Sequence, residues 1–156
     1  MRIVAILAAV TIVVIGHIKA SEDVIWKEIT NYSHIHRLDK DVVRSSSKKI
    51  GPNRHVLDMK VDKKVVELSY QVEVTEDAPR ELRWRTLSGD IKVNKGFIKL
   101  IPTKGGTKLV YHREIEGVKG IPDGFLKPVC RISMNRVIQR LKERTERESK
   151  GALEPK

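Results

Sequence analysis

A chain of 156 residues is long enough for one domain with a real core, and its single cysteine excludes an internal disulfide framework. With 40% hydrophobic and 33% charged residues, the composition is typical of a soluble globular protein. Lysine and arginine outnumber aspartate and glutamate by 31 to 20, a formal net charge of +11, so anionic partners such as nucleic acid, the ribosome or lipid headgroups have to be considered.

The first twenty residues, MRIVAILAAVTIVVIGHIKA, carry one arginine, a long apolar run and Ala20 as a cleavage position, which is the pattern of a signal peptide. The run is short for a membrane span. The β-branched stretch from Thr11 to Lys19 favours a first strand instead, preceded by an apolar leader over residues 1–10. Because cleavage after Ala20 would remove that strand, we predict an uncleaved cytoplasmic protein that can be membrane-peripheral. Export, or an anchor formed by residues 1–20, is the alternative.

Two short helices are predicted next. Ser21 followed by acidic residues has the chemistry of a helix start, and the stretch NYSHIHRLDK is read as a turn or a second short helix. His34, His36 and Asp39 in that stretch are candidate metal ligands. Alternating positions in a helical turn point apart, however, so we interpret them as structural or surface residues and predict no metal site.

After residue 41 the hydrophobic period changes from 3.6 to 2, which is typical of antiparallel strands with one covered face. The alternation is clearest in VVELSYQVEV, and it recurs in RHVLDMKV, RELRWRTL and TKLVYHREIE. Turn sequences rich in glycine, proline, asparagine and aspartate separate about six such strands. In IKVNKGFIKLIP the alternation slips beside Gly96, which predicts a bulge or a sharp bend there.

From about Phe125 the period returns to 3.6, and the apolar residues form one stripe of a long helix. Pro128 fits only the first turn of a helix, so the regular helix is predicted to begin near Lys127. Residues 149–156 are predicted to be a flexible tail. The element order is thus β-α-α-β6-α, an α+β fold in which a strongly bent antiparallel sheet of about seven strands wraps around the last helix and leaves a cavity between them.

Several stretches resemble the helix-grip superfamily, which includes START-like proteins, polyketide cyclases and dehydrases, and coenzyme Q-binding proteins. The segment IKASEDVIWKEITNYSHIHRLDKDV resembles its opening, EDAPRELRW is similar to its E-x-x-P-x-x-L-x-W hairpin, and GGTKLVY resembles its last hairpin. These matches follow one another in the right order over residues 11 to 147, and the predicted domain spans 11–148. One departure is RLDK at residues 37–40, where many relatives have an aromatic residue and a proline.

The resemblance implies a pocket for an apolar or amphipathic small molecule, but no particular reaction. The residues predicted to line it are Leu57, Met59, Tyr70, Trp84, Ile98, Tyr111, Arg113, Met134 and Val137. Arg113 has the inward parity of its strand, and its guanidinium could hold a carboxylate, carbonyl or quinone oxygen. The alternative is that Arg113 reaches the rim or pairs with an acid such as Glu73.

No arrangement of catalytic residues is visible in the sequence: no Ser-His-Asp set, no phosphate-binding glycine loop and no paired carboxylates. Cys130 lies on the apolar stripe and is predicted to be an inert buried thiol. We therefore predict non-enzymatic binding or transport of a lipid, quinone or polyketide-like molecule, with no cofactor. The alternatives are a cyclase or dehydratase that uses Tyr70, Arg113 or a histidine as acid or base, and a ribosome-associated interaction module.

The positive charge is concentrated in residues 37–64 and 127–156, each with nine basic and four acidic residues. The few aromatic residues are not interleaved with these charges as they are on a platform that stacks nucleic-acid bases. Sequence-specific nucleic-acid binding is therefore not expected, whereas peripheral contact with an anionic membrane surface suits a carrier of apolar ligands.

Overall fold

The computed structural model describes residues 9–153. Its elements, in chain order, are β1 (Val10–Ile18), α1 (Glu22–Ile29), a 3₁₀ helix (Tyr32–Arg37), β2 (Val42–Gly51), β3 (Arg54–Asp62), β4 (Glu67–Asp77), β5 (Glu81–Gly89), β6 (Ile91–Thr103), β7 (Gly106–Val118) and α2 (Asp123–Leu153). Most of the predicted leader, residues 1–8, lies outside the described part of the chain.

The strands form one antiparallel seven-stranded sheet in the order β1-β7-β6-β5-β4-β3-β2. Strands β2 to β7 are therefore a simple meander, and β1 closes against β7 after the two short helices. The alternating strands bury one face against α1, the 3₁₀ helix and α2, as the period-2 pattern predicts. The predicted architecture is confirmed.

The start of α1 follows from its sequence. The Ser21 hydroxyl accepts a hydrogen bond from the backbone N–H of Val24 at 3.4 Å, which satisfies one of the unpaired donors of the first turn. Glu22 and Asp23 follow in that turn, where the helix dipole favours negative charge.

Gly96 does not create a bulge against β7, because β6 keeps one register with β7 from Ile91 to Thr103. The irregularity lies on the other side, where pairing with β5 ends at Trp84 and Gly96. A Cβ on Gly96 would lie 2.0 Å from the His112 carbonyl oxygen and 2.9 Å from the Trp84 ring. Glycine is needed at this position because the indole ring lies against the backbone.

The predicted start of α2 near Lys127 is wrong, since the helix begins at Asp123 and contains Pro128. Pro128 lies on the exposed side close to the helix start, where water can reach the carbonyl group that loses its N–H partner. The helix also continues to Leu153, past the predicted domain boundary at 148, and the flexibility of the tail stays a prediction. Within residues 9–153, none of the helices combines the length and the apolar character needed to cross a bilayer.

Candidate functional site

A cavity of about 180 Å³ lies between the sheet and α2. Its walls come from the inner face of β3 to β7, from the 3₁₀ helix and the segment after it, and from one side of α2. The wall is mostly apolar, as in most small-molecule sites, with polar groups at a few positions. The polar or titratable side chains among its lining residues are Tyr32, Asp39, Lys63, Tyr70, Trp84, Asn94, Tyr111, Arg113, Cys130 and Ser133.

The structure brings eight of the nine predicted ligand residues to this cavity: Leu57, Met59, Tyr70, Trp84, Ile98, Tyr111, Arg113 and Val137. Met134 is the exception, since it is 1% exposed and packs in the core instead of lining the cavity. The apolar stripe of α2 is wider than the cavity, and only the side carrying Val129, Ser133 and Val137 faces it. The other side packs toward β1, where Ile138 lies against Gly16.

Asn94 organises the polar part of the cavity wall. Its side-chain oxygen accepts hydrogen bonds from Trp84 Nε1 at 3.2 Å and from Arg113 Nε at 3.1 Å, and the residue is only 4% exposed. Thr86 fixes the backbone of Asn94, because the threonine hydroxyl accepts from the Asn94 N–H at 2.5 Å and donates to the Asn94 carbonyl oxygen at 3.0 Å. This local pairing replaces the backbone ladder between β5 and β6 beyond Gly96.

Arg113 is held on one side only. Its Nε is bound by Asn94, and no described residue accepts a hydrogen bond from its two terminal nitrogens. The expected alternative, a pair with Glu73, does not form, since the Glu73 carboxylate binds Arg54 and Arg85 away from the cavity. A guanidinium fork that is fixed at Nε and open at its terminal nitrogens can bind a ligand oxygen with little loss of side-chain entropy.

Two tyrosines stand beside Arg113. The Trp84 ring meets Tyr111 edge-on at a centroid distance of 5.8 Å, and burial raises the pKa of Tyr111 to about 12. Burial also raises the pKa of Tyr70. Burial alone would lower the pKa of Arg113, but Tyr111 and other nearby groups outweigh it, so the net pKa is raised. At neutral pH the site therefore presents two phenol donors and one cation.

Asp39 also lines the cavity, where its charge acts on Tyr70, Tyr111 and Arg113, and it was not predicted as a lining residue. One of its carboxylate oxygens accepts from the backbone N–H of Asp41 at 3.0 Å, and the other accepts from the Ser133 hydroxyl at 3.4 Å. Lys63, which also lines the cavity, forms an ion pair with Asp41 at 3.0 Å. These contacts connect the segment after the 3₁₀ helix to α2 on one side and to the turn between β3 and β4 on the other.

The histidines near Asp39 do not join the cavity lining. His34 Nδ1 is hydrogen-bonded to the Asn31 side chain at 2.9 Å, and the His34 and His36 rings are 5.7 Å apart. The described residues include no cluster of three or more histidine, cysteine or acidic side chains arranged to hold a metal ion. Cys130 is a free, buried thiol within the cavity wall.

Asn94 was not predicted as a site residue, and Asp39 was predicted only as a structural or surface residue. A signal for Asn94 existed, since it has the same parity as Ile98 and Leu100 on β6 and therefore faces inward. Asp39 follows a short 3₁₀ helix, and its direction depends on a turn geometry that has no periodic signature.

Solved structures with low sequence identity share this architecture. The Zhui aromatase/cyclase from Streptomyces sp. R1128 is 14% identical with a TM-score of 0.75, over 94% of this chain and 99% of that chain. A START superfamily protein from Mycobacterium smegmatis is 14% identical with a TM-score of 0.73, over 88% and 97%. A STAR-related lipid transfer protein from Xanthomonas axonopodis is 15% identical with a TM-score of 0.77, over 87% and 85%.

At these identities the structures establish the fold, and the predicted resemblance to START-like, helix-grip proteins is confirmed. None of the proteins with curated descriptions matches the chain significantly. A family model described as polyketide cyclase/dehydrase and lipid transport matches residues 9–149, and the chain therefore belongs to that family.

Proposed function

We propose that the protein binds an apolar or amphipathic small molecule in the cavity beneath α2, with an oxygen atom of that molecule at Arg113. The observation that carries the proposal is the Arg113 guanidinium, which faces a largely apolar cavity and donates a hydrogen bond to the neutral amide of Asn94. A ligand oxygen would complete its hydrogen bonding. Carboxylates, ketones and quinones all offer such an oxygen.

The apolar wall supports the rest of the ligand. Leu57, Leu68 and Val72 on the sheet face Leu126 and Val137 on α2 across the cavity. Each methylene group moved from water to such a surface contributes about 0.8 kcal/mol, so a short alkyl chain or an aromatic ring system supplies several kcal/mol toward affinity. A lipid, a quinone and a polyketide-like aromatic molecule each combine an apolar body with an oxygen acceptor.

The protonation states favour binding over catalysis. The pKa values of Tyr70 and Tyr111 are raised by burial, so neither phenol is ready to give up its proton at neutral pH. Both remain hydrogen-bond donors, which suits recognition of a carbonyl or carboxylate oxygen. Storage or transport of the molecule is therefore the function that we prefer.

A cyclase or dehydratase is the second candidate, and one arrangement supports it. A guanidinium and two phenol donors at one cavity wall can stabilise negative charge that develops on a carbonyl oxygen during enolisation. Turnover of a linear polyketide substrate by the wild-type protein, and its loss in the Tyr70→Phe variant, would favour this candidate.

The test is organic extraction of natively purified protein followed by mass spectrometry. We expect an apolar compound with at least one oxygen function, present in amounts comparable to the protein. Arg113→Met should reduce that amount, while Arg85→Met, which changes an arginine outside the cavity, should not. Preparations that are empty and cannot be loaded with fatty acids, quinones or aromatic polyketides would contradict the proposal.

A further inference from the structure

The outward side of α2 has an unusual composition. Between Gly124 and Lys142 the sequence contains no acidic residue, whereas the same stretch carries five basic residues, Lys127, Arg131, Arg136, Arg140 and Lys142. The first four are exposed and Lys142 is half-buried. None of the five forms an ion pair with a residue in the described part of the chain. The helix therefore carries five cations without acidic neighbours along about 22 Å of its length, at 1.5 Å per residue.

Large apolar side chains lie among these cations. Phe125 is 61% exposed and Ile132 is 54% exposed. Because they are seven residues apart, two helical turns, they project from the same side of α2. Arg131 and Arg136 flank Ile132 on that side, so the apolar residues form a central ridge with positive charges on both flanks.

The exposed apolar side chains continue from α2 onto strand β1. A shallow groove between the two elements is lined by Ile15 and His17 from β1 and by Ile132, Arg136 and Lys142 from α2. Ile15 is 53% exposed, and Val13 on the same face of the strand is 43% exposed. The elements come close because β1 has Gly16 here, where a Cβ would lie 2.6 Å from Ile138.

We propose that this surface, formed by the outward side of α2 and the exposed side chains of β1, docks on an anionic phospholipid bilayer. Headgroup phosphates would meet the cations, and Phe125, Ile132 and Ile15 would reach the boundary with the acyl chains. A nucleic acid would satisfy the cations but would leave the central apolar ridge without a partner. Charge and apolar exposure together therefore fit a bilayer best.

The position of this surface relative to the cavity extends the proposed function. The purpose of docking rests on that function, the binding of an apolar ligand. The opposite side of the same helix lines the cavity through Leu126, Cys130 and Val137. Docking through the outward side therefore places the helical wall of the cavity at the membrane, the source of an apolar ligand.

The test is co-sedimentation of the full chain with vesicles of equimolar phosphatidylglycerol and phosphatidylcholine. We expect binding that is lost on pure phosphatidylcholine and weakens at high salt. Each cation near an anionic surface contributes about a fivefold change in partitioning, so the triple variant Arg131→Gln, Arg136→Gln, Arg140→Gln should bind about 100-fold more weakly.

A matched control is the triple variant Arg44→Gln, Lys48→Gln, Lys49→Gln, which changes net charge equally at exposed positions on β2, the edge of the sheet opposite β1. It should bind vesicles within about threefold of wild type, because only charges close to the bilayer act strongly. All variants keep the same residues 1–20, so any membrane affinity of that segment is common to them. Equal losses in the two triple variants would overturn the proposal.

The apolar contribution is tested by the double variant Phe125→Ser, Ile132→Ser, whose positions are exposed and not needed for the core. We expect about tenfold weaker vesicle binding with unchanged thermal stability. Unchanged vesicle binding by this variant would mean that the surface recognises polyanions in general, and the bilayer proposal would be wrong. Arg113→Met should bind vesicles like wild type, so a failure of docking and a failure of ligand binding give different results.

Discussion

Two arginine networks lie on opposite faces of the same sheet, and they differ in charge balance. Outside the cavity, Glu73 receives hydrogen bonds from Arg54 and Arg85 and is only 4% exposed. Inside it, Arg113 binds the neutral side chain of Asn94. In the outer network the carboxylate of Glu73 neutralises the arginines, whereas the inner cation has a hydrogen-bond partner but forms no ion pair within residues 9–153.

This difference separates a structural role from a functional one. A carboxylate between two guanidinium groups ties β3, β4 and β5 together, and its pKa is held below the ordinary value by the hydrogen bonds from Arg54 and Arg85. The Arg113 guanidinium lies in a largely apolar cavity and forms no ion pair within residues 9–153, so its burial costs stability that the charge of Asp39 offsets only in part. The protein keeps this destabilising charge at Arg113, which is expected where a bound ligand supplies a hydrogen-bond acceptor.

The largest expected effect comes from removing the support of the inner network. Gly96→Ala would place a Cβ against the His112 carbonyl oxygen and the Trp84 ring, so it should lower the free energy of unfolding by about 2–3 kcal/mol and displace Trp84 from Asn94. Chemical denaturation measures the first effect, and the Trp84 fluorescence spectrum, recorded in a Trp26→Phe background because the chain has two tryptophans, reports the second. Gly124→Ala is the control, because a Cβ there meets no atom within 4 Å. Similar stability of the two variants would contradict this interpretation of Gly96.

Removing the inner cation should weaken ligand binding much more than it changes the stability of the fold. Arg113→Met should weaken ligand binding about 10- to 100-fold, since hydrogen bonds to a charged group contribute about 1.5–3 kcal/mol. The ligand-free protein should stay close to wild type in stability, because the desolvation cost of the buried guanidinium disappears together with its attraction to Asp39. Titration calorimetry and denaturation of delipidated protein test the two parts. A variant that binds normally but unfolds more easily would show that Arg113 is structural.

Asn94→Asp would make the inner network resemble the outer one. The substitution keeps the shape of the side chain and the acceptor for Trp84 and Arg113, but it supplies a carboxylate to the guanidinium. We expect ligand affinity to fall about tenfold because the internal acid competes with the ligand oxygen. Asn94→Ala, which removes the acceptor, should instead loosen both Trp84 and Arg113. Tighter binding in Asn94→Asp would contradict the assignment of an oxygen acceptor as ligand.

The smallest effect should come from the outer network, and it depends on pH. Because the folded-state pKa of Glu73 is lowered, its stabilising contribution is present above the unfolded value and is lost as pH falls through the folded value. Glu73→Gln should therefore lower the melting temperature by a few degrees at neutral pH and less in strong acid. Ligand binding should not change. Glu67→Gln, which breaks the exposed pair with Lys60, is the control and should have little effect.

Most of the fold could be predicted because it depends on periodic patterns. Alternation in β4 and β7 fixed which side chains face inward, and that placed Tyr70, Tyr111 and Arg113 at one cavity. Local exceptions to these periodic patterns were harder to predict. The sequence analysis expected Pro128 to delay α2, whereas the exposed start of the helix tolerates it.

At the site, too, the predictions and the structure differ where a periodic pattern gives no information. Met134 belongs to the apolar stripe of α2, but the rotation of a helix over a curved sheet decides which side of a stripe meets a cavity, and periodicity does not give that rotation. Asn94 has the inward parity of β6, but the slip of the alternation beside Gly96 weakened that signal. Its role became visible only with the two donors that converge on it.

The central claim is that Arg113 binds the polar group of an apolar ligand, and native mass spectrometry tests it most directly. Wild-type protein, Arg113→Met and the control Arg85→Met would be purified in parallel without detergent and measured intact. The account predicts one additional small-molecule mass on wild type and on Arg85→Met, and a much smaller bound fraction on Arg113→Met. Equal occupancy of all three proteins, or no bound mass on any of them after loading, would contradict it.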